Sequence, residues 1–191
     1  MKKSDIIIAL ATGEIVALYF INLFKMPVLW SLAIIFPLLS VFCLWIAYLI
    51  GKKFLFIYQF AKFILIGALA TIFDLGVLSF FIKYAGVEAG INYSIFKGVS
   101  FIVATIAKYF ADKFWAFEKK ETTEAGKEFG KFFIVTMIGL GVNVGIASVV
   151  VNMGPKFGMA LDTWANIGGI AAVLPTFIWN FVGYKFLVFK K

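Results

Sequence analysis

Phe60-Ala61-Lys62-Phe63, followed by Asp74 and Gly76, decides how the chain is read. The pattern returns 69 positions later as Phe129-Gly130-Lys131-Phe132, followed by Asn143 and Gly145. A second motif, Lys113-Phe114-Trp115-Ala116-Phe117, returns 72 positions later as Lys185-Phe186-Leu187-Val188-Phe189. The change of shift falls between the two motifs and matches a longer loop in the second copy. Two separated motifs recurring in one order make a chance likeness of greasy segments the weaker explanation. Repeats of this kind are typical of membrane transporters, whose sites lie between the copies near mid-bilayer.

Composition sets the class. The chain is 63% hydrophobic and only 15% charged, with a mean hydropathy of +1.00. A soluble domain of this size carries far fewer apolar residues and far more charge. Six apolar runs, near 6–24, 28–50, 61–82, 91–111, 132–151 and 163–182, approach the ~20 helical residues that cross a hydrocarbon core of ~30 Å. Lipid-exposed backbone must satisfy its own hydrogen bonds, so the runs are helices. They lack the alternation of barrel strands. The expected fold is an all-α integral membrane protein of six transmembrane helices, the last four forming two repeated hairpins. Residues 1–55 form a two-helix extension, and residues 58–191 a four-helix domain with repeats near 58–120 and 127–191. Met1-Lys2-Lys3 and Ala9-Leu10-Ala11 imitate a signal peptide. The apolar stretch between them is too short for one, so the first helix is expected to be retained.

Every basic residue is lysine. In the six-span reading thirteen lysines, from Lys2 to Lys191, fall on one side, and Lys25, Lys83 and Lys156 on the other. By the positive-inside rule both termini face the cytoplasm of a multi-pass cell-membrane protein. The net charge of +8 is then explained by this bias and by anionic headgroups, not by nucleic acid. The connector 118–128 is too short to form a domain and reads as a solvated link. Cys43 stands alone in an apolar span, and histidine is absent. That argues against a disulfide, against most metal sites and against the usual catalytic triads. There is no Asp-x-Asp triplet and no phosphate loop, so no enzyme and no cofactor is expected. Gly141-Val142-Asn143-Val144-Gly145 reads as close helix packing.

Charges inside the spans ask for an explanation, because each costs roughly 2.5–3.5 kcal/mol at bilayer centre. Glu14 lies midway along the first span. Asp74 and Lys97 lie at nearly one depth in adjacent spans, so they are expected to pair. With Asn143 they would form a polar seam. A second cluster lies near the cytoplasmic boundary. Lys108 and Asp112 share a helix face at i, i+4. Asn180, Tyr184 and Lys185 hold the matching place in the second copy, and Lys62 and Lys131 open their helices at a similar depth. Lysines here can simply snorkel among interfacial aromatics. As a repeated set, Lys62, Lys131, Lys185, Asn180 and Lys108 present the donors that a lipid phosphate requires.

The run from Phe60 to Gly67, with Asp74 and Lys113-Phe114-Trp115-Ala116-Phe117, resembles the GtrA-like family. So does the closing Trp179-Asn180-Phe181-Val182-Gly183-Tyr184-Lys185-Phe186-Leu187-Val188-Phe189. The resemblance covers about residues 58–191. It implies a small membrane protein of surface polysaccharide synthesis that translocates a polyprenyl-phosphate-linked sugar, or that assists a membrane glycosyltransferase. Lys108 and Asp112 depart from the pattern, since amide residues are expected there. A third reading is a small proton-coupled exporter with Glu14 as its carboxylate. Membrane lipids are the remaining partners, and short glycine-rich helices are compatible with a homodimer.

The lysine bias is testable. On a Cys43→Ser background, a thiol reagent added outside should modify Lys83→Cys and Lys156→Cys and spare Lys119→Cys. The opposite labelling pattern would invert the topology.

Overall fold

The computed structural model describes residues 1–24, 27–85, 90–154 and 161–190, which are almost wholly helical. The elements are α1 (Lys3–Phe24), a 3-10 turn (Pro27–Ser31), α2 (Leu32–Gly51), α3 (Leu55–Ala85), α4 (Gly90–Ala111), α5 (Ala125–Asn152) and α6 (Leu161–Gly183). Among the described residues, α1, α2, α3, α5 and α6 are long and apolar enough to cross a membrane. α4, 22 residues long, completes the first hairpin. The protein is thus a helical, multi-pass membrane protein.

α3 and α5 begin about six residues before the apolar runs that announced them. At ~1.5 Å per residue, α3 is longer than a ~30 Å hydrocarbon core. In α5 the added turns carry Lys127, Glu128 and Lys131, which lower the hydropathy of a segment that is nonetheless helical; in α3 they are Leu55 to Phe60, apolar apart from Tyr58 and Gln59.

The chain divides into two compact units, 1–118 and 119–191. In the first, α1 and α2 pack with α3 around Ala9, Leu44, Ala47 and Tyr58. The N-terminal pair therefore shares a unit with the first hairpin. α1 and α2 close on each other at Gly13, where a Cβ would lie 2.5 Å from the Phe36 carbonyl oxygen. Small residues permit such close approach in membranes, where packing rather than water drives association.

Burial follows lipid as the solvent. Large apolar side chains such as Leu38, Phe80 and Phe186 are exposed, while Asp5, Lys62, Asp112 and Lys113 are buried. A soluble protein would show the reverse.

Each hairpin ends in a π-helical turn, at Asp112–Ala116 and at Tyr184–Val188. The Phe117 N–H donates to the Asp112 carbonyl at 2.9 Å, and the Phe189 N–H to the Tyr184 carbonyl at 2.7 Å. These turns stand 72 positions apart, the spacing of the second repeated motif. The sequence repeat is therefore a structural repeat, down to an uncommon backbone feature. After the first turn, Glu118 takes φ 50°, the left-handed conformation that ends many helices.

Candidate functional site

The first unit gathers its charges where the N-terminus meets the end of the first hairpin. Asp5, in the first turn of α1, is 1% exposed. It accepts hydrogen bonds from the Lys2 N–H at 2.8 Å, the Tyr58 hydroxyl at 2.7 Å and the Trp115 indole at 2.8 Å. Lys62, on α3, places Nζ 3.0 Å from Asp5 Oδ1 and 3.1 Å from Glu118 Oε1. That ammonium also sits 4.5 Å from the Tyr58 ring centroid. Lys62, expected among the phosphate donors, is thus buried and held by two carboxylates of its own chain. Sequence reading passed over Asp5. The available signal was a carboxylate opening an apolar span, where an unpaired charge is costly.

Glu118 also pairs with Lys2 at 2.9 Å. Burial pushes the Glu118 carboxyl up, but hydrogen bonds from Lys2 and Lys62 outweigh that and hold it below the usual glutamate value. The Glu118 hydrogen bond raises the Lys2 ammonium in return.

One turn away, Lys108 pairs with Asp112, as the i, i+4 spacing implied. The Lys108 ammonium lies 4.3 Å from the Phe63 ring centroid. Asp112 is fully buried. Lys113 is buried as well, donating to the Tyr109 hydroxyl at 3.4 Å.

The second unit builds the matching positions from an amide and a phenol. Asn180 and Tyr184 stand where the first copy has Lys108 and Asp112, and Phe132 stands for Phe63. Tyr184 stacks on Phe132 with centroids 4.2 Å apart, and its hydroxyl lies 2.6 Å from that of Thr136. The Asn180 carboxamide packs against Gly139, where a Cβ would collide with it. Trp179 donates its indole N–H to the Val135 carbonyl at 3.1 Å. Lys185 is half-buried, with Nζ 5.8 Å from the Phe181 ring and 5.6 Å from Phe186. Lys113 keeps nearly the same distances, 5.7 Å to Tyr109 and 6.0 Å to Phe114. Lys131 is exposed. It precedes Phe132 as Lys185 follows Tyr184, so the stacked rings put both lysines at one level of this unit.

Deeper in each hairpin a polar residue ties its two helices. Asp74 accepts from the Ser100 hydroxyl at 2.7 Å. Asn143, its counterpart, donates to the Thr176 hydroxyl at 3.2 Å. The side chain of Lys97, and with it the expected Asp74–Lys97 pair, lies outside the described residues, as do Lys25 and Lys156. Glu14 lines a shallow groove with Ala33 and Pro37 of α2. Among the described residues no group of acidic, cysteine or histidine side chains could hold a metal.

Residues 62–189 match the family model for the GtrA/DPMS transmembrane domain. The chain belongs to this family. The match spans both hairpins and both π turns and begins after α1 and α2. It makes the protein a membrane protein of glycan synthesis. No curated protein and no solved structure matches the chain.

The charges of the first unit can be tested in two ways. Asp5→Asn or Lys62→Met alone should destabilise by about 3–5 kcal/mol, since either leaves a buried charge poorly compensated. The double variant should lose less than the sum, read from thermal melts in detergent. Additive losses would show that the two do not interact. The second concerns acid. A carboxyl lowered on folding stabilises above its unfolded value, and that contribution is lost as pH falls through the folded one. Glu118→Gln should therefore melt below the parent at pH 7, and the gap should close below roughly pH 4. The effect is small for a half-exposed pair. A gap unchanged in acid would deny Glu118 any charge-dependent role.

Proposed function

We propose that the protein carries a polyprenyl-phosphate-linked sugar across the cytoplasmic membrane for cell-surface glycan synthesis, without catalysing a reaction, and with both termini in the cytoplasm. The observation that carries this reading is the lysine-bearing π turn that closes each hairpin within the family domain. Lys131 and Lys185, with Asn180, take the phosphate. Lys62 and Lys108 are balanced by Asp5, Glu118 and Asp112, so they attract an added anion less and serve to hold the frame. Asp74 in the first hairpin and Asn143 in the second each offer polar groups to the sugar within their own unit, while the isoprenoid tail stays in an apolar environment. With no energy-coupling motif in the sequence, transport runs down the lipid's own gradient, drawn by consumption on the far side.

The exposed stretch at residues 120–124 favours a second reading, a subunit that anchors a membrane glycosyltransferase through this connector. The family match leaves the exporter reading built on Glu14 without support.

The discriminating measurement is binding of a polyprenyl-phosphate-linked sugar to purified protein. Each charge-assisted hydrogen bond contributes roughly 1.5–3 kcal/mol, or about 10–100-fold in affinity. The Lys131→Gln/Lys185→Gln variant should bind at least about tenfold more weakly and keep its melting temperature. Lys120→Gln, in the exposed connector, should bind as the parent does. Lys119 is not a neutral control, because it pairs with Glu128 at 2.6 Å. A stable double variant with parental affinity would remove the phosphate assignment and favour the anchoring subunit.

A further inference from the structure

Glu14 lies near the middle of the membrane span of α1, which runs from Lys3 to Asn22. It is partly exposed and sits in a groove of about 480 Å³ between α1 and α2. Leu10 and Ala11 of α1 and Ala33, Pro37 and Leu38 of α2 share the lining. We infer that this groove receives a transmembrane helix of a second membrane protein, one that carries a lysine or arginine at mid-bilayer to pair with Glu14. The inference goes beyond the transport reading and does not rest on it.

Three observations carry it. The first is an uncompensated carboxyl. Among the described residues the Glu14 side chain has neither a hydrogen bond nor an ion pair. Asp5, on the same helix, has Lys62 at 3.0 Å. Glu14 lies nine residues further along α1, a rise of ~13.5 Å at ~1.5 Å per residue. α2 carries no charged residue. Among the described residues α1 packs on α2 and α3 and not on α4, the helix of Lys97. A carboxyl at this depth is costly to leave alone, and a basic partner offsets the cost.

The second is a backbone acceptor. Pro37 lies inside α2, and it has no N–H to offer the carbonyl four residues earlier, that of Ala33. The groove walls thus contain a carboxyl and a carbonyl that lacks its α-helical donor, in otherwise apolar surroundings. An ammonium or guanidinium brings several N–H donors and a positive charge, which answers both.

The third is shape. Leu10 and Glu14 stand four apart on α1, and Ala33 and Pro37 four apart on α2. Such rows are the ridges between which a further helix packs. Ala11 and Ala33 are small, which lets its backbone approach. Gly13 already holds α1 against α2, so the two ridges form a fixed pair. Among the described residues no aromatic ring lines the groove, so it lacks the cage that holds a free lipophilic cation. A helix brings its cation on a backbone that is already hydrogen-bonded, as lipid requires.

The test uses a designed helix. The whole protein is placed in phosphatidylcholine vesicles with a dye-labelled Leu/Ala transmembrane peptide that bears one lysine at its midpoint. Association is read by energy transfer from a dye on the C-terminus of the protein. The parent should bind this peptide at least about tenfold more tightly than one with leucine at that position, the factor that one charge-assisted hydrogen bond supplies. Glu14→Leu should erase the preference. Ala33→Phe, which fills the groove and keeps the carboxyl, should weaken binding by a similar factor. The melting temperature controls for folding. If Ala33→Phe does not fold, Glu14→Leu decides, because leucine suits lipid and the change breaks no bond. An unchanged preference in a folded Glu14→Leu variant would overturn the pairing. Equal binding of both peptides by the parent would mean that a proton suffices for Glu14, and would overturn it as well. Glu14-dependent binding of tetraphenylphosphonium, tighter than that of the peptide, would make the occupant a small cation. A parent that is dimeric without peptide, and monomeric as Glu14→Leu, would put a second copy in the groove. Either result would overturn the helix assignment. No arm uses a lipid-linked sugar, so the transport reading stands or falls separately.

Discussion

The first unit is organised around one ammonium group. Lys62 is 1% exposed, and taking such a charge out of water costs several kcal/mol. The cost is offset only if its partners converge from separate parts of the chain. Asp5 comes from the start of α1, Tyr58 from α3 itself, and Trp115 and Glu118 from the π turn and the residues after it. Each of these must be in place before the others are satisfied. The N-terminal helices lie outside the family domain, yet α1 supplies the carboxylate that makes a buried Lys62 tolerable. For this chain the extension is part of the structural unit, not an appendage.

The two copies answer one steric position in two ways. The first sets an ion pair, Lys108 with Asp112, over Phe63. The second sets Asn180 and Tyr184 against Gly139 and Phe132. A buried pair is directional and leaves its surroundings free to stay open. Stacked rings hold their place by packing instead. The same backbone plan thus carries a charged pair in one hairpin and an aromatic stack in the other.

Much of the fold was legible because lipid imposes a simple rule. Long apolar runs had to be helices, and the recurrence of Lys62 in Lys131 and of Lys113 in Lys185 marked two hairpins. The equivalence of Asp74 and Asn143 also carried through, since each ties the helices of its own hairpin. What escaped was partner identity. Matched depth pointed only to charges and so passed over the Ser100 hydroxyl that donates to Asp74, while the Lys97 side chain lies outside the described residues. Asp5 escaped because averaging over a span dilutes one carboxylate among apolar neighbours. The π turns escaped because hydropathy and motif spacing carry no information about which carbonyl a backbone N–H will choose.

Those turns have a geometric effect of their own. Closing a hydrogen bond from i to i+5 takes one residue more than an α-helical closure. An α-helix advances about 100° per residue around its axis. The extra residue therefore re-phases the side chains that follow it. Phe117 and Phe189 come directly after the turns, and each is 3% exposed. An uninterrupted α-helix would aim them in another direction. The widened turn works as an angular spacer, bringing the last aromatic of each hairpin back to the protein interior as the helix ends.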